Sequence, residues 1–143
     1  MTAAADLYRV LVLEHGKRPR NRGAVPGATH AAEGDNPLCG DAMRVEIAFH
    51  DAVLTTVGFT GESCVLATAS ASLMTERVTG ATKFEVARLI GVVRALCAGG
   101  IDATGEGRVL LGELEAFADV HHHPVRVGCA TLPWRTLERA LGD

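Results

Sequence analysis

Cys39, Asp41, Cys64 and Cys129 are the side chains with which this sequence could do chemistry. A thiolate is both a nucleophile and a soft metal ligand, and a carboxylate two positions after Cys39 could add a harder donor. Together they would make a tetrahedral Cys3Asp site of the size zinc takes. The four cysteines, Cys97 included, contain no Cys-x-x-Cys pair, and a chain of this length has no need of disulfide staples in a reducing compartment. Free thiols or metal ligands remain. Three cysteines fall at predicted element boundaries: Cys39 in a turn before a hairpin, Cys64 at a helix start, Cys129 just ahead of the last helix. Such positions can converge from distant parts of a chain, and a helix N-terminus favours thiolate. The plainer reading stays open, since an isolated cysteine is often a small buried hydrophobe.

The elements that must carry these residues follow from pattern. Asp6 can cap a short amphipathic helix over "LYRVLVLEHG", with Leu7, Val10, Leu11 and Glu14 at helical spacing and Gly16 as its stop. From Lys17 to Pro37 the chain is basic and then rich in Gly, Pro and Ala, which predicts a long surface connection. "MRVEIAF" and "AVLTTVGFT" flank His50-Asp51 and predict an antiparallel hairpin. "ESCVLATASASLMTERVTG" predicts a closely packed helix that starts near Cys64 and stops at Gly80. In the next helix Val86, Leu89, Ile90, Val93, Leu96 and Cys97 trace one apolar face, which assigns Cys97 to the core. "IDATGEGRVLLGELEAFADV" predicts a Gly-rich turn and a short helical piece, and "LPWRTLERAL" a closing helix with Pro133 in its first turn.

The 143 residues are of single-domain size, so 1–143 is read as one domain, and 48% hydrophobic residues suffice for a core. A net charge of −3, spread along the chain, points to neither nucleic acid nor an anionic membrane. No apolar run is long enough to span a bilayer and no leader pattern stands at the start, so a cytoplasmic protein is expected. His121, His122 and His123 point in different directions and are read as a solvated loop. His15 with Lys17, Arg18, Arg20 and Arg22 lacks interleaved aromatics and is read as a partner-docking or solvated face. Trp134, in step with Leu137 and Leu141, anchors the last helix. Ser70 and Ser72, alternating with alanines, are read as close-packing residues.

Four stretches in order carry a family resemblance: "LYRVLVLEHGKRPRNRG", "NPLCGD", "GESC" followed by "ASASLMTE", and "VRVGCATLPWRTLERAL". The chain resembles the SufU/IscU, NifU N-terminal-like, family of iron-sulfur cluster assembly proteins over nearly its whole length. The resemblance implies an α+β fold, a small antiparallel sheet covered by helices, with Cys39, Asp41, Cys64 and Cys129 forming a metal or cluster site at one end.

Two branches of that family compete. An IscU-like scaffold builds a transient iron-sulfur cluster on its cysteines, whereas a SufU-like zinc-dependent sulfurtransferase accepts sulfur from a cysteine desulfurase. Scaffolds carry a histidine before the last cysteine and a Leu-Pro-Pro-Val-Lys stretch upstream; here Gly128 and His122-His123-Pro124-Val125-Arg126 stand there. The segment from about Ala98 to Val120, including "LGELEAF", resembles the SufU insertion, although that branch usually has lysine at Gly128. The SufU branch is favoured, making this a desulfurase activator rather than a stand-alone enzyme, with a SufS-like desulfurase and downstream iron-sulfur assembly proteins as partners. The resemblance implies Cys39 as the sulfur acceptor, freed when a histidine of the desulfurase enters the zinc shell. Three thiolates and a carboxylate outweigh the charge of Zn2+, and Arg126 is the predicted compensating donor to Asp41.

Overall fold

The computed structural model describes residues 3–100 and 110–142. Its elements are α1 (Ala3–Lys17), β1 (His30–Asn36), β2 (Asp41–His50), β3 (Val53–Thr60), α2 (Val65–Val78), α3 (Lys83–Cys97), a 3-10 segment (Gly112–His122) and α4 (Pro124–Leu141). The strands form one antiparallel sheet in the order β1-β2-β3. Helices cover its inner face, so the expected α+β architecture is present.

The hairpin forms where alternation predicts it. Along β2, Met43, Val45 and Ile47 are buried while Ala42 and Arg44 are exposed, the period-two pattern of a sheet with one wet face. Asp51 and Ala52 make the turn, both left-handed at φ 51° and 68°, the pairing that a two-residue hairpin demands. The third strand was not legible. β1, "HAAEGDN", lies inside the stretch expected to be a surface connection, because it has no apolar alternation. It is a strand because α4 lies against it: a Cβ on Gly34 would collide with the Thr136 hydroxyl, so glycine lets the helix press onto the strand backbone.

α2 is the central helix. Ala67 through Thr75 are all buried, which explains its small residues: α1 and α4 both pack against it. Its serines are more than spacers. Ser70 Oγ donates to the Ala130 carbonyl at 2.6 Å and accepts from Trp134 Nε1 at 3.0 Å, tying α2 to α4. The fully buried Trp134 is thereby the expected anchor of the last helix. α3 opens with a capping box of Thr82 and Glu85 and buries the predicted face, Cys97 included.

Two helix limits differ from expectation. α1 begins before Asp6, which is ion-paired to Arg9 inside the first turn instead of capping it. α4 begins at Pro124, so Cys129 lies within the helix and Pro133 in its interior. A proline there is a strong stop signal, yet burial of Cys129, Leu132, Trp134 and Leu137 on one side carries the helix through it. The missing N–H at Pro133 withdraws the usual helical donor from the Cys129 carbonyl. The Gly-rich turn expected in 101–109 lies outside the described residues. The helical piece after it is the 3-10 segment, with Leu114, Phe117 and Val120 buried. Among the described residues no helix is long and apolar enough to cross a membrane.

Candidate metal centre

The β1–β2 turn, the start of α2 and the first third of α4 meet at one end of the sheet. Asn36 pairs with Asp41 across the turn, Cys39 N–H donates to the Asn36 carbonyl at 3.1 Å, and Gly40 takes the left-handed conformation, φ 69°. Cys39 is thus raised on an exposed loop, while Asp41 begins β2 and is only 3% exposed. Cys64 is the N-cap of α2, its sulfur accepting the Ala67 N–H at 3.4 Å. Cys129 reaches the same end from α4 and is 3% exposed.

Donor atoms of Cys39, Asp41 and Cys129 all lie within 4.8 Å of one another, and the Cys39 and Cys129 sulfurs are 3.0 Å apart. Cys64 stands at the edge of this group with its sulfur 3.7 Å from Asp41 Oδ2. Its backbone N–H donates to Asp41 Oδ1 at 2.7 Å, so the residue that caps α2 also aims the carboxylate. The Cys129 thiol is pushed well above its usual range, first by burial and then by the neighbouring Cys39 and Cys64. Cys97 is pushed up to about 12 by burial alone.

Three soft sulfurs and one hard oxygen, converging from three elements, are a donor set that suits a tetrahedral borderline ion such as zinc. Arg126 lies exposed in the first turn of α4, and among the described residues no hydrogen bond or ion pair joins it to Asp41. Its charge acts instead on Tyr8, whose hydroxyl is raised by burial and drawn back down by Arg126. The Cys64 backbone N–H, and not Arg126, is the donor to Asp41.

One buried group at the centre was missed and another, between α1 and α2, differs from expectation. Asn36 is 6% exposed, and its Nδ2 donates to the Cys129 sulfur at 3.5 Å. An Asn-Pro pair reads as a turn signal, and nothing in it announces a partner over ninety residues away. His15, expected on a docking or solvated face, is 5% exposed instead, with Nδ1 2.7 Å from Ser72 Oγ and Nε2 3.9 Å from Glu76. It ties α1 to α2 because the sequence "EHG" sits where the helix meets the buried small-residue face. Burial and the nearby Arg20 lower its pKa from the usual 6.5. His121, His122 and His123 are exposed, as expected, but His121 and His122 close the 3-10 segment instead of lying in a loop, with their rings 3.9 Å apart.

An α+β domain with cysteines from a turn, a helix cap and a helix interior gathered at one sheet end is the class that this fold defines. The chain belongs to the NifU-like N-terminal domain family, whose model matches residues 7–105. It is 33% identical over 135 residues to the iron-sulfur cluster assembly scaffold protein IscU of Streptococcus pyogenes, covering 94% of this chain and 82% of that one. It is 32% identical over 135 residues to the zinc-dependent sulfurtransferase SufU of Bacillus subtilis, covering 94% and 89%. A crystal structure of an iron-sulfur cluster assembly scaffold protein for the SUF system, from Fervidobacterium islandicum, superposes with a TM-score of 0.85 at 31% identity, covering 95% and 97%. The chain is therefore a member of the IscU/SufU group of iron-sulfur cluster assembly proteins.

Proposed function

We propose that this protein, a single domain over 1–143, is a zinc-dependent sulfurtransferase that accepts persulfide sulfur from a cysteine desulfurase. The observation that carries the reading is the convergence of Cys39, Asp41 and Cys129 within 4.8 Å, with Cys64 at the edge. Cys39, Asp41, Cys64 and Cys129 would hold the ion. Zinc bound there would keep its sulfur ligands as thiolates at neutral pH, with the buried Cys129 shielded and the exposed Cys39 left reachable.

The residues differ in how free they are. Cys129 is buried in α4 and Cys64 is fixed as a helix cap, whereas Cys39 stands on an exposed four-residue turn. Cys39 is accordingly the acceptor. Its thiolate attacks the terminal sulfur of the desulfurase cysteine persulfide; that S–S bond breaks, a new one forms to Cys39 Sγ, and the partner cysteine departs as thiolate. Asp41, the one hard oxygen donor, would be the most weakly held ligand of a bound ion, and the Cys64 N–H orients its carboxylate. Exposed Leu38 (80%), Val65 (55%) and Val125 (50%) flank the three cysteine-bearing elements and offer an apolar rim for the docking partner. Such thiol chemistry suits the reducing cytoplasm.

A second reading, a scaffold that assembles and passes on a transient iron-sulfur cluster, is supported by IscU-named relatives as similar as the SufU one. Gly128 ahead of Cys129 and the absence of the Leu-Pro-Pro-Val-Lys stretch favour the first. The test combines elemental analysis of aerobically purified protein with a desulfurase turnover assay. About one zinc per chain, stimulation of the desulfurase, and loss of sulfur acceptance in Cys39→Ala are expected. A reconstituted cluster delivered to an apo-protein, without stimulation, would replace this reading with the scaffold.

A further inference from the structure

Building on the metal-centre reading, we propose that Asn36 is a positioning residue for the Cys129 sulfur, and that Gly128 is what admits its carboxamide. Asn36 does two things at once. Its backbone carbonyl accepts the Cys39 N–H at 3.1 Å, shaping the turn that carries one thiol, and its Nδ2 donates at 3.5 Å to the sulfur of another. Those two sulfurs are 3.0 Å apart. A buried carboxamide needs partners, and among the described residues the Cys129 sulfur is the acceptor for this one.

Gly128 explains how the amide fits. A Cβ at that position would lie 3.0 Å from Asn36 Nδ2 and 3.3 Å from Oδ1, tighter than side chains ordinarily approach. Glycine in a helix interior is unfavourable, so its presence at the turn of α4 facing Asn36 matches a need for close approach. The bond has a chemical consequence. An N–H donated to a thiolate withdraws electron density from sulfur, making it a weaker nucleophile held in fixed orientation toward the metal. Cys129 has such a donor in Asn36 and Cys64 has one in Ala67; among the described residues the Cys39 sulfur has none beyond the neighbouring thiol. The pattern of donors thus separates two retained sulfurs from the one that leaves.

The test uses the full chain loaded with zinc. Asn36→Ala with wild-type circular dichroism is expected to lose about tenfold or more in zinc affinity against a chromophoric chelator. Iodoacetamide is expected to label Cys129 as well as Cys39, where the loaded wild type labels Cys39 alone. Wild-type affinity and labelling in the folded variant would overturn the proposal. Should Asn36→Ala fail to fold, the wild type loaded with NMR-active cadmium decides: the Asn36 carboxamide proton is expected to move downfield and to show scalar coupling to the metal. A carboxamide resonance unmoved and uncoupled on loading would overturn the proposal alone, whereas a wild type that takes up neither metal would overturn the metal-centre reading and this proposal with it.

Discussion

Asp41 is held at two points, by the Cys64 N–H at 2.7 Å and by its place at the head of β2, so its carboxylate is aimed before any ion arrives. Asp41→Ala is expected to leave the thiols in place and to lower zinc affinity about 10–100-fold, with loss of desulfurase stimulation; unchanged affinity by chelator competition would contradict this. His15 makes a prediction of its own. Its folded pKa lies below the ordinary 6.5, because burial disfavours the charged ring and Arg20 adds repulsion, against the weaker opposing pull of Glu76, Glu113 and Glu14. The unfolded chain therefore binds a proton that the folded one refuses, so His15 contributes its full stability above about pH 6.5 and loses it as pH falls through the folded value. The thermal midpoint of the wild type should drop between pH 7 and 5 more steeply than that of His15→Asn; parallel profiles would refute the assignment. At this scale much was legible: Cys39, Asp41, Cys64 and Cys129 could be named because motif words surround them. Asn36 could not, and His15 was legible only as a surface group, since each owes its role to a contact made only when distant elements dock.

Elements were readable where burial has a period and obscure where it does not. β2 and α3 show their inner faces as alternation and as a helical stripe, and both formed as expected. β1 has no such stripe; it owes its existence to Gly34 lying under Thr136, a pairing of residues about a hundred positions apart. α4 misled for the opposite reason: Pro133 is a strong local stop, overruled by the apolar surface that the helix buries around Trp134. Two substitutions test the elements. Ala52 holds a left-handed conformation that glycine adopts without strain, so Ala52→Gly should stabilise the protein by roughly 0.5–1 kcal/mol in urea unfolding; a loss of stability would show that the turn is otherwise determined. Ser70→Ala strands the Trp134 N–H and removes a donor from the Ala130 carbonyl in a dry interior, and should cost about 1–3 kcal/mol; a neutral result would mean that neither bond matters.

For the molecule as a whole, the arrangement is a packed frame with one exposed corner. The sheet, α2 and α4 share a continuous buried core, and Cys64 and Cys129 belong to elements anchored in it, whereas Cys39 rides a turn bordered by the exposed Leu38. A partner can reach that corner across the apolar rim. Leu38→Glu should weaken desulfurase stimulation several-fold while leaving bound zinc unchanged, and equal stimulation at subsaturating protein would remove Leu38 from the docking surface. The central claim is that one ion draws together side chains from three elements. X-ray absorption at the zinc edge of the purified protein tests it most directly: three sulfurs at about 2.3 Å and one oxygen at about 2.0 Å are predicted. A shell dominated by nitrogen or oxygen, or a protein without zinc, would contradict it.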